Sequence, residues 1–191
     1  TAKLQEEVEK FGLFYPPDPA SRESCAIGGN VAECAGGPRA LKYGVTKDYV
    51  YGLEAVLPTG EIIRTGGKLL KNVTGYNLTQ LLVGSEGTLA VITAITLKLI
   101  PLPPVRRTIL VPFPSAIAAA KAVTGIFMRG VTPCAVEFMV RAAIKRVEEF
   151  TGTSYPWSDA EAFLLIEADG INEPLVQQEI DIICDVCMSG G

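Results

Sequence analysis

Three prolines in four residues, Pro101-Leu-Pro-Pro104, cannot continue a helix or a central strand, so the chain must divide there. A domain boundary is expected at this point, with residues 1–105 in one domain and 106–191 in the next. Beyond the break the pattern is regular. It predicts a strand at 106–113, a helix at 115–129 with Ser115 near its N-cap, and a strand at 134–139. A helix at 140–150, a strand at 163–168 and a helix at 174–187, with Pro174 in its first turn, complete the series. That order indicates an α/β or α+β sandwich, with helices covering one sheet.

The first half is less regular. Residues 2–11 put Leu4, Val8 and Phe11 on one helical face, with Gly12 as the stop. Phe14 to Ser21 carries prolines at 16, 17 and 19 and must be stiff and irregular. Strands at 49–56 and 62–65 flank Leu57-Pro-Thr-Gly60, which reads as a hairpin. A short helix is expected at 76–82 and a long β-branched strand at 89–99.

The bulk numbers exclude several classes. With 48% apolar and 20% charged residues the chain is globular, not disordered. A net charge of −4 with scattered basic residues leaves no nucleic-acid footprint. No apolar run reaches the roughly 18 residues of a membrane span, and residues 1–12 lack a signal-peptide core. Five cysteines without a secretory signal read as reduced thiols, so a cytoplasmic location is expected. The Asn-x-Thr triplets at Asn72 and Asn77 would matter only in a secreted protein. There is no histidine, which removes Ser–His and Cys–His pairs, His-ligated zinc and a His general base. Chemistry must come from a cofactor or from residues outside the chain.

The strongest local feature is Cys25-Ala-Ile-Gly-Gly-Asn-Val-Ala-Glu-Cys-Ala-Gly-Gly37. Small residues let backbone approach a ligand closely, and successive N–H groups can cradle an anion such as a pyrophosphate; the alternative is a tight turn between two strands. Phosphate signatures do not fit. Thr65-Gly-Gly-Lys68 ends like a P-loop, but the first glycine of that motif is missing and Leu69 stands where its Ser or Thr belongs. Gly84-Ser-Glu-Gly-Thr88 is either a second ligand-facing turn or a plain strand entry. Cys184-Asp-Val-Cys187 has redox or metal spacing, but it lies in an expected helix and lacks a second cysteine pair. Glu148, Glu149 and the carboxylates at 159–169 read as solvated charges.

Five ordered segments resemble the FAD-linked oxidases of the VAO/PCMH-type FAD-binding fold, in particular the glycolate oxidase FAD-binding subunit and the D-lactate dehydrogenase group. They are Pro16-Pro-Asp-Pro-Ala-Ser21, Ile27 to Gly37, Leu41-Lys-Tyr-Gly44, Thr74-Gly-Tyr-Asn-Leu78 and Gly84-Ser-Glu-Gly-Thr-Leu-Ala-Val-Ile-Thr93. The resemblance is dense over residues 12–105 and looser to the end. It implies that Pro17, Asp18 and Ser21 lie along an FAD, and that the paired-glycine loop packs Gly28, Gly29, Asn30, Gly36 and Gly37 against it. It places Tyr43 and Gly44 close to that wall, and Glu86, Gly87 and Ile92 on the adenine side. Two positions depart from the family pattern: Cys34 stands where Asn is expected and Ala90 where Gly is expected.

The fold implied is α+β: the second subdomain of the FAD-binding fold, then the opening part of a ferredoxin-like α/β cap domain. The family's N-terminal pyrophosphate loop and its histidine-containing C-terminal segments have no match here, so the chain is expected to be a fragment of a longer protein, inactive alone. The parent would oxidise a 2-hydroxy acid such as glycolate or D-lactate, passing electrons from flavin to a partner, in the glycolate oxidase case an iron–sulfur subunit. No catalytic acid or base and no metal ligand is expected in these residues. The alternatives are a flavin or nucleotide-binding module without turnover, or a related flavin oxidase acting on another alcohol. Open sheet edges would favour homo-oligomers or aggregation.

Overall fold

The proline-rich break lies at the junction of two units, Thr1–Leu102 and Pro103–Gly191, in a computed structural model that describes residues 1–157 and 159–189. Both units mix helices with antiparallel sheet, so the fold is α+β.

The first unit runs α1 (Ala2–Glu9), β1 (Leu13–Phe14), α2 (Ile27–Glu33), α3 (Ala40–Tyr43) and a 3-10 turn (Thr46–Tyr49). It continues β2 (Val50–Val56), β3 (Ile62–Gly66), α4 (Leu78–Leu82), β4 (Val91–Leu97) and β5 (Ile100–Pro101). β2 is central in a three-stranded sheet of order β3-β2-β4, and β1 pairs with β5. The β2–β3 hairpin closes where Leu57 N–H donates to the Glu61 carbonyl at 2.9 Å, with Gly60 at φ +88°. Alternation along β2 buries Val50, Leu53 and Ala55, which pack with Val31 of α2 and with Leu82 and Val83.

Helix α1 is turned differently from the expectation. Ala2 and Gln5 are its buried residues, Leu4 and Val8 are half-buried, and Phe11 lies beyond the helix with 79% exposure. Hydrogen bonding outweighs apolar spacing here. The buried Gln5 amide donates to the carbonyls of Tyr15 and Pro17, each at 3.0 Å, two acceptors that the proline-rich segment cannot satisfy by itself.

The second unit runs β6 (Val105–Phe113), α5 (Ala116–Met128), β7 (Ala135–Val140), α6 (Arg141–Thr151), β8 (Ala162–Gly170) and α7 (Glu173–Met188). β8 lies between β6 and β7, antiparallel to both. It is buried on both faces, which is why it reads as an apolar run. Leu164 and Ile166 meet Ala119, Ala122 and Ile126 of α5 and Val176, Ile180 and Ile183 of α7. Phe163 meets Ile144 of α6 on the opposite face. The sheet is therefore covered on both sides. Gly125 lets α5 and α7 approach closely, since a Cβ there would lie 2.8 Å from the Val186 side chain.

Ser115 caps α5, its hydroxyl accepting from Ala118 N–H at 3.2 Å. Ser115→Ala is expected to cost about 1 kcal/mol. Thermal denaturation of its unit should show a midpoint about 4–8 °C lower.

Candidate functional site

The glycine-rich stretch departs from the expected loop. Ile27 to Glu33 form helix α2, and Gly28, Gly29 and Asn30 lie in its first turns. The Asn30 N–H donates to the Ala26 carbonyl, so the amides from Asn30 onward are used by the helix. They do not form an anion cradle, nor is this a turn between strands. Gly28 and Gly29 have ordinary helical dihedrals, not positive φ. A Cβ added to either would meet no atom within 4 Å, leaving bare backbone facing open space. Asn30 is buried, its amide donating to the Thr1 hydroxyl.

The other candidate segments are tied to one another and to the C-terminal end of α2. Gly37 sits so close to Asp18 that a Cβ there would fall 2.3 Å from the Asp18 carbonyl oxygen. Arg39 locks the same contact: its N–H donates to Asp18 Oδ1 at 3.3 Å and its guanidinium lies 3.6 Å from Oδ2. Pro17 is buried beside it, whereas Ser21 is exposed. The segment after the second turn of α4 joins at the end of α2, where Gly84 and Glu86 N–H donate to the carbonyls of Val31 and Ala32 at 3.0 and 2.9 Å. Those carbonyls would otherwise be orphaned at the helix end. Tyr43 meets the Phe14 ring edge-on at 5.7 Å and receives the Tyr49 hydroxyl on its carbonyl at 2.7 Å. Gly44 follows at φ +80°.

The wall also holds unusual backbone. Cys34 and Glu86 adopt φ of 52° and 53°, the left-handed region that Asn or Gly occupies at lower cost. The family's Asn would suit position 34 for this reason. Gly87 follows Glu86 at φ +73°. Ile92 lies apart from the open strip: it pairs with Ala55 in β4 and packs partly buried on the core. Ala90 is buried in the same core.

Gln5, Arg39 and Thr46 organise this wall without having been singled out from sequence. Thr46 is fully buried, its N–H and hydroxyl both donating to the Ala35 carbonyl, at 3.1 and 2.7 Å. Their common signal is a polar or flexible residue beside a glycine- or proline-rich run whose carbonyls need partners. Burial pushes the Tyr15 phenol up to about 12, so it stays a neutral group beneath the wall.

A flat, backbone-hugging cofactor fits this surface. The Gly28–Gly29 strip has no side chain to obstruct it, and Gly37 holds its loop close to Asp18 of the proline-rich segment while Gly36 lies against Val45. The wall supplies shape and hydrogen bonding, and no acid–base pair.

The Cys184–Cys187 pair belongs to packing. Cys187 is buried and Cys184 lies partly buried against the same core. Burial raises both thiols, Cys187 to about 11, with neighbouring Asp181 and Asp185 adding to the rise at Cys184. Thiols held protonated at neutral pH are poor nucleophiles and metal ligands. Among the described residues no group of three His, Cys, Asp or Glu is placed to hold a metal ion. Cys184→Ser in the full-length protein should change flavin content and turnover by less than about twofold. A larger loss in an absorbance and steady-state assay would restore a role for the pair.

Comparison with known proteins agrees with this geometry. Residues 1–66 match the family described as FAD binding domain, and residues 102–191 match the C-terminal domain of FAD linked oxidases. The chain is 46% identical over 190 residues to the glycolate oxidase subunit GlcD of Bacillus subtilis, covering all of this chain and 40% of that protein. It is 40% identical over 193 residues to a D-lactate dehydrogenase of Anaerostipes hadrus, covering 98% and 40%. The chain thus spans about two fifths of the length of these curated relatives. Among solved structures, alkyldihydroxyacetonephosphate synthase superposes with a TM-score of 0.77 at 23% identity, over all of this chain and 36% of the other. At that identity the likeness establishes the fold.

Proposed function

Because the chain belongs to the FAD-linked oxidase family, we propose that its first unit lines an FAD and that the protein carrying it oxidises a 2-hydroxy acid such as glycolate or D-lactate. The observation that carries this reading is the bare Gly28–Gly29 strip, backbone that a ligand can approach closely because no side chain stands over it. The similarity to a glycolate oxidase subunit and to a D-lactate dehydrogenase supports the substrate class.

In this reading Pro17, Asp18 and Ser21 follow the cofactor on one side and Gly28, Gly29 and Asn30 on another. Gly36, Gly37, Tyr43 and Gly44 complete the neighbouring edge, while Glu86, Gly87 and the backbone of Ile92 take the adenine end. Bound FAD supplies the two-electron acceptor for oxidation at the α-carbon of the substrate. The chain's own residues position and shield. Asp18 is committed to Arg39, and Tyr15 and Tyr49 are held protonated, chiefly by burial, at about 12. Neither tyrosine is suited to act as a base at neutral pH. In the same reading the second unit is the opening part of the family's cap domain.

Electrons would leave through a partner acceptor, an iron–sulfur subunit in the glycolate oxidase arrangement. We place the protein in the cytoplasm, where its five free thiols persist reduced. Among the described residues no helix is long and apolar enough to cross a membrane. Homo-oligomers would form through sheet edges such as β3 and β7.

The test is the visible spectrum of the full-length protein, followed by anaerobic addition of glycolate or D-lactate. Flavin bands that bleach with substrate and return with an electron acceptor are expected. A flavin that neither acid bleaches would leave a binding module, or an oxidase of another alcohol.

A further inference from the structure

We infer that the cavity beneath residues 69–77 receives the carboxylate of the organic-acid substrate, with Lys47 as its cationic anchor. This inference rests on the 2-hydroxy-acid reading above and extends it to a site in the first unit that lies beyond the cofactor wall.

Residues 69–77 cross from the end of β3 to the start of α4 and enclose a cavity of about 520 Å³. Its base is tied down at both ends. The Thr79 hydroxyl donates to the Thr65 hydroxyl at 2.9 Å in the interior, and Gln80 Nε2 donates to the Lys47 carbonyl at 2.8 Å. The crossing segment itself is highly exposed, with Leu70 at 91% and Tyr76 at 95%. Most of the cavity surface is polar, and Lys47, Arg64, Asn72, Tyr76, Asn77 and Gln80 contribute to it.

Two of those side chains are cations, and they differ in availability. Arg64 is engaged by Glu54, donating through Nε at 3.0 Å and Nη2 at 2.7 Å. Lys47 makes no ion pair among the described residues, although its backbone is fixed by Gln80. The lining acid, Asp48, accepts from Val45 N–H at 2.8 Å, which offsets part of its charge. Neutral donors complete the lining. Asn77 uses its side-chain oxygen to cap α4 by accepting from Gln80 N–H at 3.1 Å, so its NH₂ is left to donate. One uncommitted ammonium among neutral donors suits a small organic anion that also carries a hydroxyl.

Position fits as well. Lys47 lies three residues after Gly44, in the 3-10 turn that the Tyr49 hydroxyl ties to Tyr43. The proposed anchor and the last residue of the proposed cofactor edge thus lie on one short segment of chain.

The experiment uses the full-length, flavin-loaded protein and its Lys47→Gln and Lys47→Arg variants. Oxalate, a two-carbon diacid that cannot be oxidised as a 2-hydroxy acid, is titrated by calorimetry, with inorganic phosphate as a second probe. Flavin content is read from the visible spectrum. Lys47→Gln should retain its flavin and bind oxalate roughly tenfold or more weakly, and Lys47→Arg should recover most of that loss. Phosphate should bind wild type weakly and independently of residue 47. The inference is overturned if wild type does not bind oxalate, or if Lys47→Gln binds it as wild type does. Phosphate binding that depends on Lys47 as strongly as oxalate binding, or loss of flavin from a folded Lys47→Gln protein, would also overturn it by assigning the lysine to a phosphate. Bleaching of the wild-type flavin by glycolate or D-lactate tests the functional reading separately, so the two can fail independently.

Discussion

Gly29→Val in the full-length protein is expected to lower flavin content tenfold or more while leaving thermal stability nearly unchanged. The two halves of that result come from different facts about one residue. Gly29 is helical, and a Cβ built on it meets nothing within 4 Å, so the protein itself has room for the new side chain. Valine is a slightly better helix former than glycine, by a few tenths of a kcal/mol. The fold therefore loses nothing. If the bare strip lies against FAD, three added heavy atoms displace the cofactor from contact, at a cost of about 1–3 kcal/mol or more. That corresponds to roughly five- to 150-fold in flavin affinity, which lowers the content retained through purification. Gly29→Ala should behave as a graded version, raising helix stability by about 1 kcal/mol while weakening flavin less. The measurement is the ratio of flavin absorbance to protein, beside a melting curve. Unchanged flavin in a stable Gly29→Val protein would remove α2 from the cofactor wall.

That prediction differs from the one sequence alone suggests, and the difference shows what local pattern can carry. Glycine pairs spread over thirteen residues read as a loop because glycine disfavours helix by about 1 kcal/mol per residue. Tertiary backing overrides this in α2: Val31 is buried against β2, and Gly84 and Glu86 satisfy the helix's last carbonyls from fifty residues away. No local window contains those partners. The same holds for Gln5, whose burial makes sense only once the Tyr15 and Pro17 carbonyls are seen above it, and for Arg39, whose partner Asp18 lies twenty-one residues upstream. By contrast α5, α7, β6 and β8 were legible because periodicity and flanking caps are local. Ser115 and Asn172 cap the two helices through side-chain oxygens, and β8 runs apolar from Ala162 to Ile166 because both its faces are covered there. The candidate wall was legible as a set of small residues in order. Its geometry was not, since that depends on contacts between segments distant in sequence.

Gly37→Ala is expected to have the opposite character to Gly29→Val, lowering stability and flavin together. The added methyl would sit 2.3 Å from the Asp18 carbonyl oxygen, 2.5 Å from its carbon and 2.6 Å from Oδ1. Two of those three atoms are backbone, so no rotamer change relieves the clash. The 35–39 loop must instead move away from the proline-rich segment. That movement weakens the Arg39 N–H bond to Asp18 Oδ1 and leaves two largely buried charges less well paired. It also disturbs the segment whose carbonyls Gln5 holds. Overpacking of this kind costs about 1–3 kcal/mol, and loss of pairing at Asp18 adds to it. A melting temperature lower by about 4–8 °C per kcal/mol lost follows for a unit of about 100 residues. Flavin content should fall as well, because Asp18 and Gly37 would no longer present one continuous surface. A Gly37→Ala protein melting within about 1 °C of wild type would show that this contact is looser than described. A destabilised protein with full flavin would show that the Asp18–Gly37 contact supports the fold while the cofactor lies elsewhere. Reading stability and flavin on both variants thus separates the residues that build the wall from those that face the ligand.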